Sequence, residues 1–132
     1  MRISNKNKRN VGRPSLRCIT VRSAFHHHAL NFSVSLAKEL NLQENNKVTI
    51  KQEGKAIYLC FGVNGYNIRV KHNGGKTTKT PDTFTCSSVE IVNTLLSLAN
   101  AQKFAKFIVS SNCTIKDNYK CFLIISKPLF VD

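Results

Sequence analysis

Apolar and polar side chains alternate over Ile19-Thr20-Val21-Arg22 and again over Leu30-Asn31-Phe32, the period-two pattern of half-buried strands. Ser33 or Ser35 then caps a short helix whose apolar positions are Leu36 and Leu40. Leu42 follows. The pair Asn45-Asn46 is expected to end the helix and turn the chain, because asparagine tolerates a left-handed backbone. Val48 and Ile50, then Ile57, Leu59 and Phe61, give two more alternating strands. Glu53-Gly54-Lys55 between them is a hairpin turn.

The same order recurs. Tyr66 to Val70 predicts a strand, and Lys71 to Pro81 a polar, basic loop. Phe84-Thr85-Cys86-Ser87 parallels Phe32-Ser33-Val34-Ser35. Ser87-Ser88-Val89-Glu90 has the form of a capping box. The helix after it carries Val89, Val92, Leu95, Leu96 and Ala99 on one face and ends at Asn100. Phe104 to Val109 and Lys120 to Ile125 predict two strands joined through Lys116-Asp117-Asn118. Leu123-Ile124-Ile125 is continuously apolar and predicts a central strand buried on both faces, with Pro128 beyond its end.

Strand, basic loop, strand, helix and hairpin thus occur twice at an interval of about fifty residues, the scale of an internal duplication. One such unit cannot close its own sheet, because an unpaired edge and a half-covered apolar face remain. The expected architecture is an α+β, β-rich fold: a small barrel-like pseudo-dimer of two repeats, 19–64 and 65–132, forming a single domain behind a flexible basic arm, 1–18.

Residues 19 to 61 resemble an AbrB/MazE-type swapped-hairpin domain. Val21-Arg22, Phe32, Leu36, Leu40, Leu42, Lys47-Val48 and the hairpin fall in register with that family's pattern without a gap. The chain departs from it at three places. Ser33 replaces the usual helix-opening proline, Asn45-Asn46 the usual Gly-Asp, and His28-Ala29 the glycine-arginine pair of the DNA-facing loop. The resemblance implies paired strand–helix–hairpin units and DNA binding through the loops between the first two strands.

Charge strengthens that implication. The 132 residues hold 20 Lys and Arg against 7 Asp and Glu, a net charge of +13, which attracts polyanions. The arm carries Arg2, Lys6, Lys8, Arg9, Arg13 and Arg17, and the first acidic residue is Glu39. Without apolar periodicity the arm is not expected to fold alone. Its Gly12-Arg13-Pro14 partly resembles an AT-hook, an extended basic segment that enters the narrow minor groove of A·T-rich DNA. Val11 and Ser15 stand where a full hook has arginine. In the pseudo-dimer the two inter-strand loops are expected to gather Arg22, His26 and His28 with Arg69, Lys71, His72, Lys76 and Lys79 into one cationic face for phosphate.

Other chemistry finds little support. At most His26 and His28 of the triple histidine could share a metal, and no carboxylate or cysteine converges on them. Gly74-Gly75-Lys76-Thr77 lacks the spacing and strand-to-helix setting of a phosphate loop. Seven acidic residues leave little for acid–base pairs, so no enzyme, metal or cofactor is expected. Cys18, Cys60, Cys86, Cys113 and Cys121 lack C-x-x-C spacing and suit free thiols in a reducing compartment. No apolar run spans a membrane and no secretory signal opens the chain, which suits a cytoplasmic, nucleoid-associated or, for a phage or mobile element, virion protein. The leading expectation is a DNA-binding protein, a transcriptional regulator or DNA-associated accessory factor. The alternatives are a non-enzymatic structural or auxiliary assembly protein, such as a phage particle component, and an antitoxin-like protein-binding module. A homo-oligomer or assembly partner belongs with these.

Overall fold

A computed structural model describes residues 17–25, 27–74 and 80–132. Among them run β1 (Cys18–Ala24), β2 (His27–Phe32), α1 (Val34–Glu39), β3 (Lys47–Glu53), β4 (Ala56–Gly62), β5 (Tyr66–Asn67) and β6 (Arg69–Lys71). Then follow β7 (Thr83–Cys86), α2 (Val89–Ala99), β8 (Phe104–Lys116), β9 (Tyr119–Ile124) and β10 (Phe130–Val131). Strands hold 52% and helices 15%, the β-rich α+β class that the alternation predicts. Among the described residues no helix is long and apolar enough to cross a membrane.

All pairings are antiparallel, in the order β5-β3-β4-β9-β8-β1-β2-β7-β6, with β10 added to β8. The two ends of this path, β5 and β6, are one segment interrupted only at Ile68. Ile68 donates its N–H to Asn46 O and accepts from Asn45 N–H, each at 2.8 Å. One half of the segment therefore bonds β3 and the other bonds β7, and the sheet is nearly closed and barrel-like. At Gly65, just before β5, φ is +142° and a Cβ would meet Val48 O at 2.6 Å, so only glycine lets the chain approach β3 this closely.

The pairings obey an approximate twofold. β1 pairs with β2 and β8; the β5–β6 segment pairs with β7 and β3. Each hairpin, β3–β4 or β8–β9, is thus added to the first strand of the other repeat, and β2–β7 and β4–β9 join like to like. Centred on the Asn31–Thr85 pair, the twofold matches Ile19 with Ile68, both fully buried, and sets Leu30, not Phe32, equivalent to Phe84. β8 is 13 residues long because it serves both layers, pairing with β1 through Ile108 and with β9 from Val109 on, across a bulge between Val109 and Cys113.

One core fills the interior. Ile19, Val21, Leu30, Phe32, Val48, Leu59, Ile68, Phe107 and Ile124 enter it from the strands. Leu36 and Ala37 of α1, and Ile91, Val92, Leu95 and Leu96 of α2, complete it.

Local details correct several expectations. Asn41, at φ 52°, ends α1; Asn45, at φ 69°, makes only the following turn. Ser88, not Ser87, caps α2, accepting from Ile91 N–H at 3.1 Å, so Glu90 is one position too early for a capping box. Val89 consequently points outward and Ile91 takes its place on the buried face. The predicted strand from Tyr66 to Val70 breaks at Ile68, where it passes from β3 to β7. Strand β9 is central, between β4 and β8, and it is buried on both faces at Cys121 and Phe122 rather than along Leu123-Ile124-Ile125. Cys121, Phe122 and Ile124 are buried, Leu123 is half-buried and Ile125 exposed.

Candidate nucleic-acid interface

Alternation in the β1-β2-β7-β6 layer decides which side chains leave the barrel. Ile19, Val21, Leu30, Phe32 and Cys86 point inward, so their neighbours Thr20, Arg22, Asn31, Thr85, Arg69 and Lys71 point outward. Register lines some of these into one cross-strand row: Lys106 opposite Thr20, Thr20 opposite Asn31, Asn31 opposite Thr85 and Thr85 opposite Arg69. Phe130 of β10 extends the row beyond Lys106. Arg22 lies one row away, opposite Ala29 and Phe104, its guanidinium 5.3 Å from the Phe104 ring centre.

None of the seven acidic residues lies on β1, β2, β6, β7, β8 or β10. Six are engaged elsewhere. Glu39 pairs with Arg17, Glu53 with Lys116 and Asp117 with Lys51. Asp82 meets His72 at 3.1 Å, and Glu90 accepts from Tyr66 Oη at 2.6 Å. Asp132 accepts from the Gln102 and Lys103 N–H groups; burial raises its pKa, but these backbone donors outweigh it and hold the carboxyl below the usual range. Only Glu44 reaches the sheet face, pairing with Arg69 at 3.1 Å while also accepting from Val70 N–H.

The expected binding residues fall into four groups. Arg2, Lys6, Lys8, Arg9, Arg13, His26, Lys76 and Lys79 lie outside the described residues. Arg22, Arg69 and Lys71 share the outer face, and among them Arg69 alone makes an ion pair among the described residues. His28 and His72 flank it: His28 is half-buried near the start of β2, and His72 stands just past β6 beside Asp82. Arg17 is taken up inside the fold. Its Nε donates to Glu39 Oε1 at 2.6 Å, its Nη1 donates to Val109 O at 2.6 Å, and its guanidinium lies over Phe122. It fastens the start of β1 to α1 and β8 and has no free face for phosphate.

The described strand ends start the two inter-strand loops from opposite ends of the layer. Because β2 and β7 are antiparallel, with Phe32 opposite Phe84 and Leu30 opposite Cys86, the β1–β2 turn and the β6–β7 loop leave opposite ends of the layer. Arg22 sits toward one end and Lys71 toward the other. The cations therefore form a strip along a sheet face, with Thr20, Asn31 and Thr85 between them. Lys106 and Phe130 join this strip without any warning from the sequence. Lys106 is legible only once β8 is known to join β1, and β10 has no sequence signal beyond two apolar residues.

Among the described residues, no three His, Cys, Asp or Glu side chains are placed to hold a metal ion. No protein-family model, curated protein or solved structure matches the chain.

Proposed function

We propose that this chain binds DNA through its phosphate backbone, as a transcriptional regulator or DNA-associated accessory factor. The observation that supports this most is the outer face of the β8-β1-β2-β7-β6 layer, where Lys106, Arg22, Arg69 and Lys71 project from strands that carry no acidic residue. Threonine hydroxyls and the Asn31 amide between the cations are the neutral donors that accompany Lys and Arg in binding phosphate. The basic arm, whose charge is evident from sequence, joins the body at the start of β1 and adds further cations. The resemblance to AbrB-type domains points the same way, with one chain supplying both halves of the pair.

Binding of the full chain to a duplex at two salt concentrations tests this, compared with a chain lacking residues 1–16 and with the Arg22→Ala/Lys71→Ala/Lys106→Ala variant. Arg17 is retained in the truncation because it braces the body. Log affinity should fall linearly with log salt, and removing one lysine or arginine that neutralises a phosphate should lower the slope by about 0.9. A triple variant with an unchanged slope would remove the sheet face from the reading. No binding at low salt, combined with a stable symmetric oligomer, would replace DNA binding with an assembly role.

A further inference from the structure

The two hairpins share a sequence signature. Thr49-Ile50-Lys51 recurs as Thr114-Ile115-Lys116, and Tyr58-x-Cys60-Phe61 recurs as Tyr119-x-Cys121-Phe122. Register makes these equivalent. Lys51 faces Tyr58 as Lys116 faces Tyr119, and Thr49 faces Cys60 as Thr114 faces Cys121. Cys60 and Cys121 face each other within the β4–β9 pairing that joins the two repeats.

Leu59, Phe122 and Ile124 point into the core, so Cys60 and Cys121 point out of the barrel. Both nevertheless have no exposed surface. Their cover is two crossed side-chain pairs on the same face. Lys51 Nζ stands 4.5 Å from the Tyr119 ring centre, and Lys116 Nζ stands 4.6 Å from that of Tyr58. The lysines are held by Asp117 at 3.9 Å and Glu53 at 2.8 Å. Tyr119 lies flat on Gly62, which has no Cβ to obstruct it. Each thiol donates to a carbonyl two residues back at 3.7 Å, Cys60 to Tyr58 and Cys121 to Tyr119.

We propose that Cys60 and Cys121 form a thiol–disulfide switch that joins the two repeats covalently across β4–β9. Directly opposed antiparallel residues have Cα atoms about 4.5–5.5 Å apart, within the roughly 4.4–6.8 Å that a disulfide spans. The other three cysteines face no cysteine: Cys18 faces Ile108, Cys86 faces Leu30 and Cys113 faces Phe122. A shared soft metal ion is the weaker use of the pair. It would bury an anionic bis-thiolate with no third ligand among the described residues, whereas the disulfide is neutral and incurs no such desolvation cost. Access needs movement of the partly buried Lys and Tyr side chains, whose cation–π interactions are each worth about 0.5–1 kcal/mol, and release of the Lys51–Asp117 and Lys116–Glu53 pairs. The oxidant is a hydroperoxide. Two S–H bonds and its O–O bond break, one S–S bond forms, and one alcohol and one water leave, or two waters from hydrogen peroxide.

The full chain, reduced and then treated with hydrogen peroxide, is alkylated, digested and read by mass spectrometry, with melting followed in parallel. The expected result is loss of two alkylatable thiols, a Cys60–Cys121 cross-linked peptide, and a Tm raised by roughly 10–20 °C that dithiothreitol reverses. Cys121→Ser should lose the cross-link and the shift together. Retention of both thiols, or linkage only through exposed Cys113, overturns the proposal, and neither readout depends on a variant folding.

Discussion

Closure of the barrel rests on Ile68, which makes Ile68→Ala its sharpest test. The side chain is fully buried, and its backbone bonds to Asn45 and Asn46 survive the substitution, so the change acts on packing alone. Removing three buried carbons costs about 2.4 kcal/mol in transfer free energy at about 0.8 kcal/mol each. The residual cavity brings the expected loss to about 3–4 kcal/mol, within the range of large-to-small core changes. The twofold adds a constraint. Ile19 occupies the matching place in β1 with the same burial, so Ile19→Ala should cost the same within about 1 kcal/mol. Val63→Ala, at a position 81% exposed, should cost under about 0.5 kcal/mol. The assay is urea unfolding followed by far-UV circular dichroism and tyrosine fluorescence, since the chain lacks tryptophan. A loss at Ile68 below about 1 kcal/mol, with the full loss at Ile19, would refute closure and leave an open sheet ending at β7.

Two further predictions concern local chemistry. Ser88→Ala should destabilise the protein by about 1 kcal/mol through loss of the α2 cap, while Ser87→Ala changes stability little; equal effects in thermal melts would return the cap to Ser87. The hydrogen bond to Glu90 raises the Tyr66 hydroxyl above its ordinary value of 10.0. Its contribution is present below the unfolded tyrosine pKa and lost as pH rises through the folded one. The stability gap between wild type and Tyr66→Phe should therefore shrink above about pH 10, and a gap that widens there rules out this hydrogen bond as its source.

The twofold repetition of elements is legible from their order, but its clearest residue-level sign is hidden by a difference in hairpin length. Six residues separate Lys51 from Tyr58 and two separate Lys116 from Tyr119. The first hairpin carries two extra residue pairs, Gln52–Ile57 and Glu53–Ala56, before its turn. The second turns at once through Asp117 and Asn118, both left-handed. A comparison without gaps cannot align the two. Arg17 reads as part of the arm because sequence shows its charge and not its partners; Glu39 and Val109, 22 and 92 residues away, hold it against the body with most of its side chain buried.

By itself the sequence determined the two helices, the longer strands and the excess of positive charge, because alternation, capping and backbone permissiveness act over a few residues. The pairing of β1 with β8, the closure at Ile68, the placement of the loops at opposite ends and the meeting of Cys60 with Cys121 were decided only by the tertiary structure. Those depend on which strand edges find each other beyond the reach of any local pattern. Antiparallel pairing then fixes both face and direction, so one topological choice turned an expected cluster of loop cations into a strip along a sheet.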